Sequence, residues 1–180
     1  MANRLLFLSG LLAFCAFSAF GNLKGADQVN MHIYGNVIDQ GCDVATSSAM
    51  QNVFIGNFNI SDFQAANVVS ASADLNIDIN GCAAGIQDAR VYFSGESDPL
   101  APTLLKLTDT GGSGNMATGI AVQIIDAQTQ EEIPLNSLTA RYPLKAGDNE
   151  LKYKLRYKST KEGATGGNAT AVLYFDLVYE

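Results

Sequence analysis

Hydrophobic and polar residues alternate with a period of two along much of this chain, which is the pattern of half-buried β-strands. In residues 29–37 the apolar side consists of Val29, Met31, Ile33, Gly35 and Val37. Further alternating or apolar runs occupy residues 53–55, 75–79, 90–93, 104–107, 120–125, 151–157 and 169–179. Their number and spacing predict seven or eight short strands and therefore a β-sandwich.

Glycine-rich and small-residue segments separate these runs. Asn80-Gly81 and Ser94-Gly95 predict turns after two of the strands, and residues 111–114 and 160–168 predict loops. The alanine- and serine-rich residues 64–73 predict a helical turn or a loop. No long helical periodicity interrupts the pattern, so the predicted fold class is all-β.

The first 21 residues have the features of a secretory signal peptide. Arg4 supplies a positive charge, residues 5–20 are mostly apolar, and Ala19 and Gly21 place small residues where a signal peptidase requires them. The apolar stretch is shorter than the about 20 residues that a transmembrane helix needs. We therefore expect residues 1–21 to be removed and the mature protein to have no stable membrane insertion.

Composition narrows the class of protein further. The chain has 180 residues, of which 47% are hydrophobic and 16% charged, and this suits one folded domain with a real core. Its formal net charge is −7. Because binding of phosphates needs a basic surface, a nucleic-acid partner is not expected.

Two cysteines, Cys42 and Cys82, remain after Cys15 is removed with the signal peptide. In an oxidising compartment such a pair is expected to form a disulfide. The bridge would close a loop of about 40 residues and stabilise the fold by about 4 kcal/mol. A structural zinc site needs four ligands, and a single histidine, His32, does not supply the remainder. No metal is expected.

Catalytic constellations are not evident. His32 lies on the polar side of its predicted strand, where a solvated surface residue is the simplest interpretation. Nothing marks one pair among the 18 acidic residues for glycoside hydrolysis, and the chain has no tryptophan for sugar stacking. Residues 111–114 lack the lysine of a phosphate-binding loop. The chain is expected to be neither an enzyme nor a cofactor-binding protein.

Several motifs occur together in a specific order. Ile33-Tyr34-Gly35-Asn36-Val37 is followed by Gly41-Cys42, later by Ile79-Asn80-Gly81-Cys82, and then by the run at 120–126 and Ile133-Pro134-Leu135. The chain closes with a penultimate tyrosine, Tyr179, and a glycine fourteenth from the end, Gly167. In order and spacing these motifs resemble the type 1 fimbrial pilins of the chaperone-usher class, with some similarity to minor or adaptor subunits.

This resemblance implies an immunoglobulin-like β-sandwich that lacks its last strand and is completed by donor-strand complementation. Residues 39–180 would form the pilin domain and residues 22–38 a donor-strand extension. The five alternating positions named above, Val29 to Val37, would fill the groove of a neighbouring subunit. The acceptor strand, which also contacts the chaperone, would use Gly167, Leu173, Phe175, Leu177, Tyr179 and Glu180.

The resemblance also implies partners and a location. The partners are neighbouring pilus subunits, a periplasmic chaperone and an outer-membrane usher, and the destination is a fimbrium on the bacterial surface, reached through the periplasm. The expected role is that of a shaft or adaptor subunit supporting adhesion, because about 159 mature residues leave no room for a lectin domain. The alternative is a self-sufficient secreted β-sandwich that binds carbohydrate or protein through its loops and needs no chaperone.

Overall fold

The computed structural model describes residues 41–180. Helix is limited there to a short α1 (Thr46–Ala49) and one 3-10 turn (Ile60–Phe63). The strands of this part of the chain are β1 (Asp43–Val44), β2 (Val69–Cys82), β3 (Asp88–Ser94), β4 (Leu105–Lys106), β5 (Ile120–Asp126), β6 (Glu132–Ile133), β7 (Ser137–Leu138), β8 (Tyr142–Pro143), β9 (Gly147–Ser159) and β10 (Tyr174–Tyr179). The predicted all-β fold is confirmed.

The strands form two antiparallel sheets. The first has the order β1-β2-β9-β5-β4, with β6 also paired to β5. The second has the order β10-β3-β7, with β8 also paired to β3. The long strands β2 and β9 form the middle of the first sheet and place Leu75 opposite Tyr153 and Ile77 opposite Leu151. Such cross-strand apolar pairs set the register, because a slip by one residue would turn each of them to solvent.

The core lies between the inner faces of the two sheets. Ile77 of β2, Leu151 of β9 and Val91 of β3 are fully buried. The rings of Phe93 and Tyr153 meet edge to face across the sheets, with centroids 4.9 Å apart and an interplanar angle of 88°. This packing follows from the alternation seen in the sequence, since every second residue of a strand faces the opposing sheet.

The outer face of the first sheet carries the basic residues of β9, and acidic neighbours pair with them. Lys154 lies 3.0 Å from Asp74 on β2, and Lys158 lies 3.2 Å from Glu132 on β6. The first of these pairs is largely exposed on the Asp74 side and adds little stability. Together the two pairs neutralise Lys154 and Lys158 on this face.

Four local expectations differ from the structure. Residues 53–55 belong to no strand, residues 69–73 lie inside β2 and are not a loop, and residues 169–173 precede β10 without joining a ladder. Asn80-Gly81 does not end its strand, because β2 continues to Cys82 through a register irregularity. Gly81 permits this irregularity, since its φ of +64° is a backbone conformation that side-chain-bearing residues rarely adopt.

Cys42 and Cys82 are joined by a disulfide, as the sequence analysis predicted. The bridge connects the residue that precedes β1 to the last residue of β2, beside the pairing of Asp43 with Asn80. It therefore fastens the short edge strand β1 to the central part of the first sheet. No helix in residues 41–180 is both long and apolar enough to cross a membrane.

Candidate functional site

The C-terminal strand β10 uses one of its edges for pairing. It is antiparallel to β3, with Phe175 opposite Phe93 and Leu177 opposite Val91. Among the described residues, no strand pairs with its other edge. An edge of this kind presents unpaired N–H and C=O groups that can bind another extended chain.

Burial differs sharply between the two strands of this pair. Phe93 and Val91 of β3 are 0% exposed. Their partners Phe175 and Leu177 face the same core but are only half-buried. The alternation of β10 is intact and its inner side chains face the core, but nothing in residues 41–180 fully covers them. The core of the described sandwich is therefore incomplete along this strand.

An apolar groove of about 1150 Å³ runs beside this strand. One wall is formed by residues 165–171 and 173–176, and the other by residues 51–60. Residues 51–59 belong to no helix or strand, and the 3-10 turn begins at Ile60. Val53 and Ile55 are half-buried on the second wall. Core side chains of both sheets line the groove between the walls, among them Leu75, Phe93 and Leu155. The shape and chemistry suit an extended segment with alternating apolar side chains.

The structure distributes the six predicted acceptor residues over two places. Gly167, Leu173 and Phe175 line the groove. Leu177 and Tyr179 pack against the core beyond it, and Glu180 follows at the end of β10.

Gly167 lies where two backbone segments meet. A Cβ atom at this position would lie 2.5 Å from the backbone nitrogen of Ala117 and 2.5 Å from the carbonyl carbon of Met116. The N–H of Ala117 donates to the carbonyl of Asn168 at 2.9 Å, which fixes the approach. Glycine at 167 thus lets the chain that leads into β10 lie directly against residues 115–117.

Glu180 fastens the C-terminal end of the strand to β3. Its N–H donates to the carbonyl of Asp88 at 3.0 Å, and its own backbone oxygen accepts from the N–H groups of Gln87 and Asp88. Its side-chain carboxylate forms an ion pair with Arg141. The end of β10 is therefore held in register independently of whatever occupies the groove.

Tyr179 connects the same end of the strand to the start of the described chain. Its hydroxyl donates to the carbonyl of Cys42 at 2.9 Å. Burial, and then the negative charge of Asp43, raise the pKa of Tyr179 above its usual value. The ring lies on Gly41, where a Cβ atom would be 2.6 Å from Cε2 of the ring. The missing side chain of Gly41 is thus a condition for this contact.

Gly41→Ala is expected to lower the free energy of unfolding by about 1–3 kcal/mol, because the Tyr179 ring must move and its hydrogen bond to Cys42 is lost. Urea unfolding followed by circular dichroism measures the change. The matched control is Gly85→Ala, since no atom lies within 4 Å of a Cβ at Gly85. Equal midpoints for the two variants would contradict the assignment of Gly41.

A loop at one end of the groove is ordered by Asp109. Its carboxylate accepts hydrogen bonds from the backbone N–H groups of Gly114 at 2.6 Å and of Ser113 at 3.2 Å. These bonds, that of Gly114 first, hold the pKa of Asp109 below its usual value. Thr110, which follows it, lines the groove. The carboxylate therefore fixes the shape of a loop that the sequence identified only as glycine-rich.

The predicted donor positions Val29, Met31, Ile33, Gly35 and Val37 lie outside the described residues, as does the predicted signal peptide. Within residues 41–180 no group of three or more His, Cys, Asp or Glu side chains is arranged to hold a metal ion.

Two residues of the site were not found by sequence reasoning. Gly41 appeared only as part of a motif, and Tyr157 only as the last apolar position in the alternation of β9. Tyr157 lines the groove, and its hydroxyl donates to the carbonyl of Ala169 at 2.6 Å. The alternation signalled that Tyr157 faces inward, but its contacts depend on residues far away in the chain.

Comparison of the sequence with protein families gives a match over residues 31–180 to the family described as fimbrial protein. An uncharacterized fimbrial-like protein of Escherichia coli K12, YcbU, is 71% identical over 180 residues, which cover 100% of both chains. The fimbrial subunit type 1 of Salmonella typhimurium is 32% identical over 152 residues, covering 83% of this chain and 82% of that protein.

Solved structures of pilus proteins have a similar fold. The P pilus rod subunit PapA superposes with a TM-score of 0.66 at 25% identity, covering 78% of this chain and 100% of PapA. A subunit from the structure of a chaperone-usher pilus, described in connection with uncoiling of the rod, gives a TM-score of 0.64 at 26% identity and covers 85% of this chain and 96% of that one.

Proposed function

Because this chain belongs to the fimbrial protein family, we propose that it is a structural subunit of a chaperone-usher pilus and polymerises by donor-strand complementation. The observation that supports the mechanism is β10, whose inner apolar side chains are half-buried beside a groove of about 1150 Å³. An extended segment in the groove would pair with the second edge of β10 and cover Phe175. The role is structural and involves no catalytic step.

The donor in this proposal is the segment of residues 29–37 of the next subunit. Its four apolar side chains, those of Val29, Met31, Ile33 and Val37, would contribute roughly 6–12 kcal/mol if they became fully buried. Gly35 would allow close backbone approach where the groove is shallow. The intervening polar side chains would face solvent, which an alternating strand achieves without further cost.

An exposed acceptor strand needs protection before assembly. An apolar groove beside an unpaired edge promotes aggregation, so we assign its first occupant to a periplasmic chaperone, which an outer-membrane usher then exchanges for the donor segment. The disulfide between Cys42 and Cys82 suits passage through an oxidising periplasm. The destination is a fimbrium on the cell surface that supports adhesion, with this chain as a shaft or adaptor subunit.

Periplasmic co-expression with the chaperone and usher of the same assembly system tests the proposal. We expect a chaperone-bound monomer and, once the usher is present, ladders that resist SDS when the sample is not boiled. Ladders of this kind reflect a high barrier to unfolding.

Deletion of residues 22–38 separates this function from that of a self-sufficient binding module. The subunit should keep its chaperone complex and lose only the ladders, because the deleted segment completes a different molecule. A stable monomer made without any chaperone, and unfolded by the deletion, would instead identify a self-complemented sandwich and refute the proposal.

A further inference from the structure

The backbone of Tyr157 is held by the strands on both sides of β9. It pairs with Val122 of β5, and its N–H donates to the hydroxyl of Ser70 on β2 at 3.0 Å. The preceding inward residues of β9, such as Tyr153 and Leu155, are buried. Tyr157 is only half-buried and lines the groove.

The side chain of Tyr157 reaches both walls of the groove. Its hydroxyl donates to the carbonyl of Ala169, in the segment that leads into β10. The edge of the ring system meets Phe58 of the other wall, with centroids 6.0 Å apart and an interplanar angle of 81°. A tyrosine held at its tip and at its ring cannot rotate away without losing both contacts.

Phe58 is itself held from the far side. It packs edge to face against the buried Phe63, with ring centroids 6.3 Å apart. A Cβ atom at Gly56 would lie 3.0 Å from Cζ of Phe58, so the ring lies directly over the backbone there. The chain of contacts from Phe63 through Phe58 and Tyr157 to Ala169 therefore runs continuously from one wall to the other.

The hydroxyl of Tyr157 is protonated at neutral pH, as in any tyrosine, and is therefore a hydrogen-bond donor. Removal from solvent raises its pKa further. The carbonyl of Ala169 thus already accepts one hydrogen bond from within the subunit. At this end of the groove, the ring of Tyr157 therefore stands beside the backbone that leads into β10.

We propose that Tyr157 is a positioning residue that sets the width of the groove between Phe58 and Ala169 and so limits the size of the donor side chain accepted there. The proposal rests on the function proposed above and adds a selectivity element to it. Its partner is the N-terminal segment of a second copy of this chain. One of the five inward donor side chains contacts Tyr157, and the other four do not.

A competition between donor peptides tests the proposal. The subunit is refolded with an equimolar mixture of two peptides of residues 26–39, one native and one carrying phenylalanine at Val29, Met31, Ile33, Gly35 or Val37, and the bound peptides are quantified by mass spectrometry. Both peptides compete for the same subunit, so a change in the stability of the subunit does not alter the ratio of phenylalanine peptide to native peptide that is bound. A purely structural role of Tyr157, such as closing the loop of residues 160–168, would leave the ratio unchanged.

For Tyr157→Leu we expect the ratio to move about tenfold towards the phenylalanine peptide at one of the five positions and to stay unchanged at the other four, as pocket enlargement permits. Tyr157→Phe keeps the ring and should move the same position by a smaller factor, which provides a test even if the leucine variant does not fold. The matched control is Tyr92→Leu, since Tyr92 lies on β3 between the inward residues Val91 and Phe93 and does not line the groove.

The possible failures are distinct. Equal ratios for the wild type and both Tyr157 variants, or one uniform change at all five positions, would overturn the role of Tyr157 while leaving donor-strand complementation intact. A wild-type subunit that retains no peptide at all would refute the proposed function, and the inference about Tyr157 would fall with it.

Discussion

Ile33→Asp is expected to stop incorporation of the subunit into fibres, with at least a thousandfold loss of ladders. The change removes an apolar side chain whose burial contributes about 2–3 kcal/mol. It also carries a carboxylate into an apolar groove, where desolvation costs several kcal/mol more unless the group takes up a proton. The measurement is the intensity of SDS-resistant ladders in unboiled periplasmic and surface fractions.

Asn30→Asp is the matched control for this experiment. It adds the same charge to the same segment, on the face that would point to solvent. Its ladders should equal those of the wild type. Because the groove of the Ile33→Asp subunit is unchanged, that variant should still bind a chaperone and a wild-type donor peptide. Normal ladders from Ile33→Asp would show that residues 29–37 do not act as the donor.

The strands β5 and β9 were predictable because the hydrophobic pattern of their sequences matches the burial of their side chains. Residues 120–125 lie within β5 and are buried on both faces, which explains why they are apolar except for Gln123. The alternation in 151–157 corresponds to β9, with one face in the core and the other in solvent. When the residues of a strand are buried in the same pattern as their hydrophobicity, hydrophobic periodicity is sufficient to predict the strand.

Other elements depend on partners that the local sequence does not reveal. Ser72 and Ala73 lie in β2 because Arg156 and Leu155 of β9 pair with them, although their side chains are small. The apolar residues 53–55 predicted a strand, yet among the described residues no strand pairs with them. Their apolar character instead reflects a position in the wall of the groove. Tertiary context overrides β-propensity in both cases.

The sequence predicted which side chains of the last strand face inward, but it did not predict the groove beside them. Alternation placed Phe175 and Leu177 on the inner side of the last strand. Only the packed structure shows that these two side chains are half-buried, while Phe93 and Val91 opposite them are 0% exposed. The role of Tyr157 likewise depends on residues from two distant segments, and no pattern within β9 could have indicated them.

Replacing both Cys42 and Cys82 with alanine is expected to lower the free energy of unfolding by about 4 kcal/mol. The bridge spans a sequence separation of 40 residues, and in the chain-entropy model its loss restores that much freedom to the unfolded chain. Since domains of this size are stable by only about 5–15 kcal/mol, a large part of the total stability is removed. Urea unfolding of the purified subunit with a bound donor peptide measures the difference.

A reducing agent supplies the control. Dithiothreitol should lower the stability of the wild type to that of the double variant and should leave the double variant unchanged. An unfolding midpoint that is the same for the oxidised wild type and the variant would show that the bridge contributes nothing beyond packing.

The loss should extend from the first sheet to the C-terminal end of β10, because the carbonyl of Cys42 is the acceptor for the hydroxyl of Tyr179. Without the bridge, β1 is held by its pairing with β2 at Asp43 with Asn80 and Val44 with Ile79, and by the N–H of Ala45, which donates to the carbonyl of Asp78. Greater mobility of Cys42 would weaken its hydrogen bond with Tyr179 and so loosen the end of β10. The double variant should accordingly release a donor peptide faster than Gly41→Ala, which disturbs the same hydrogen bond but leaves the bridge in place.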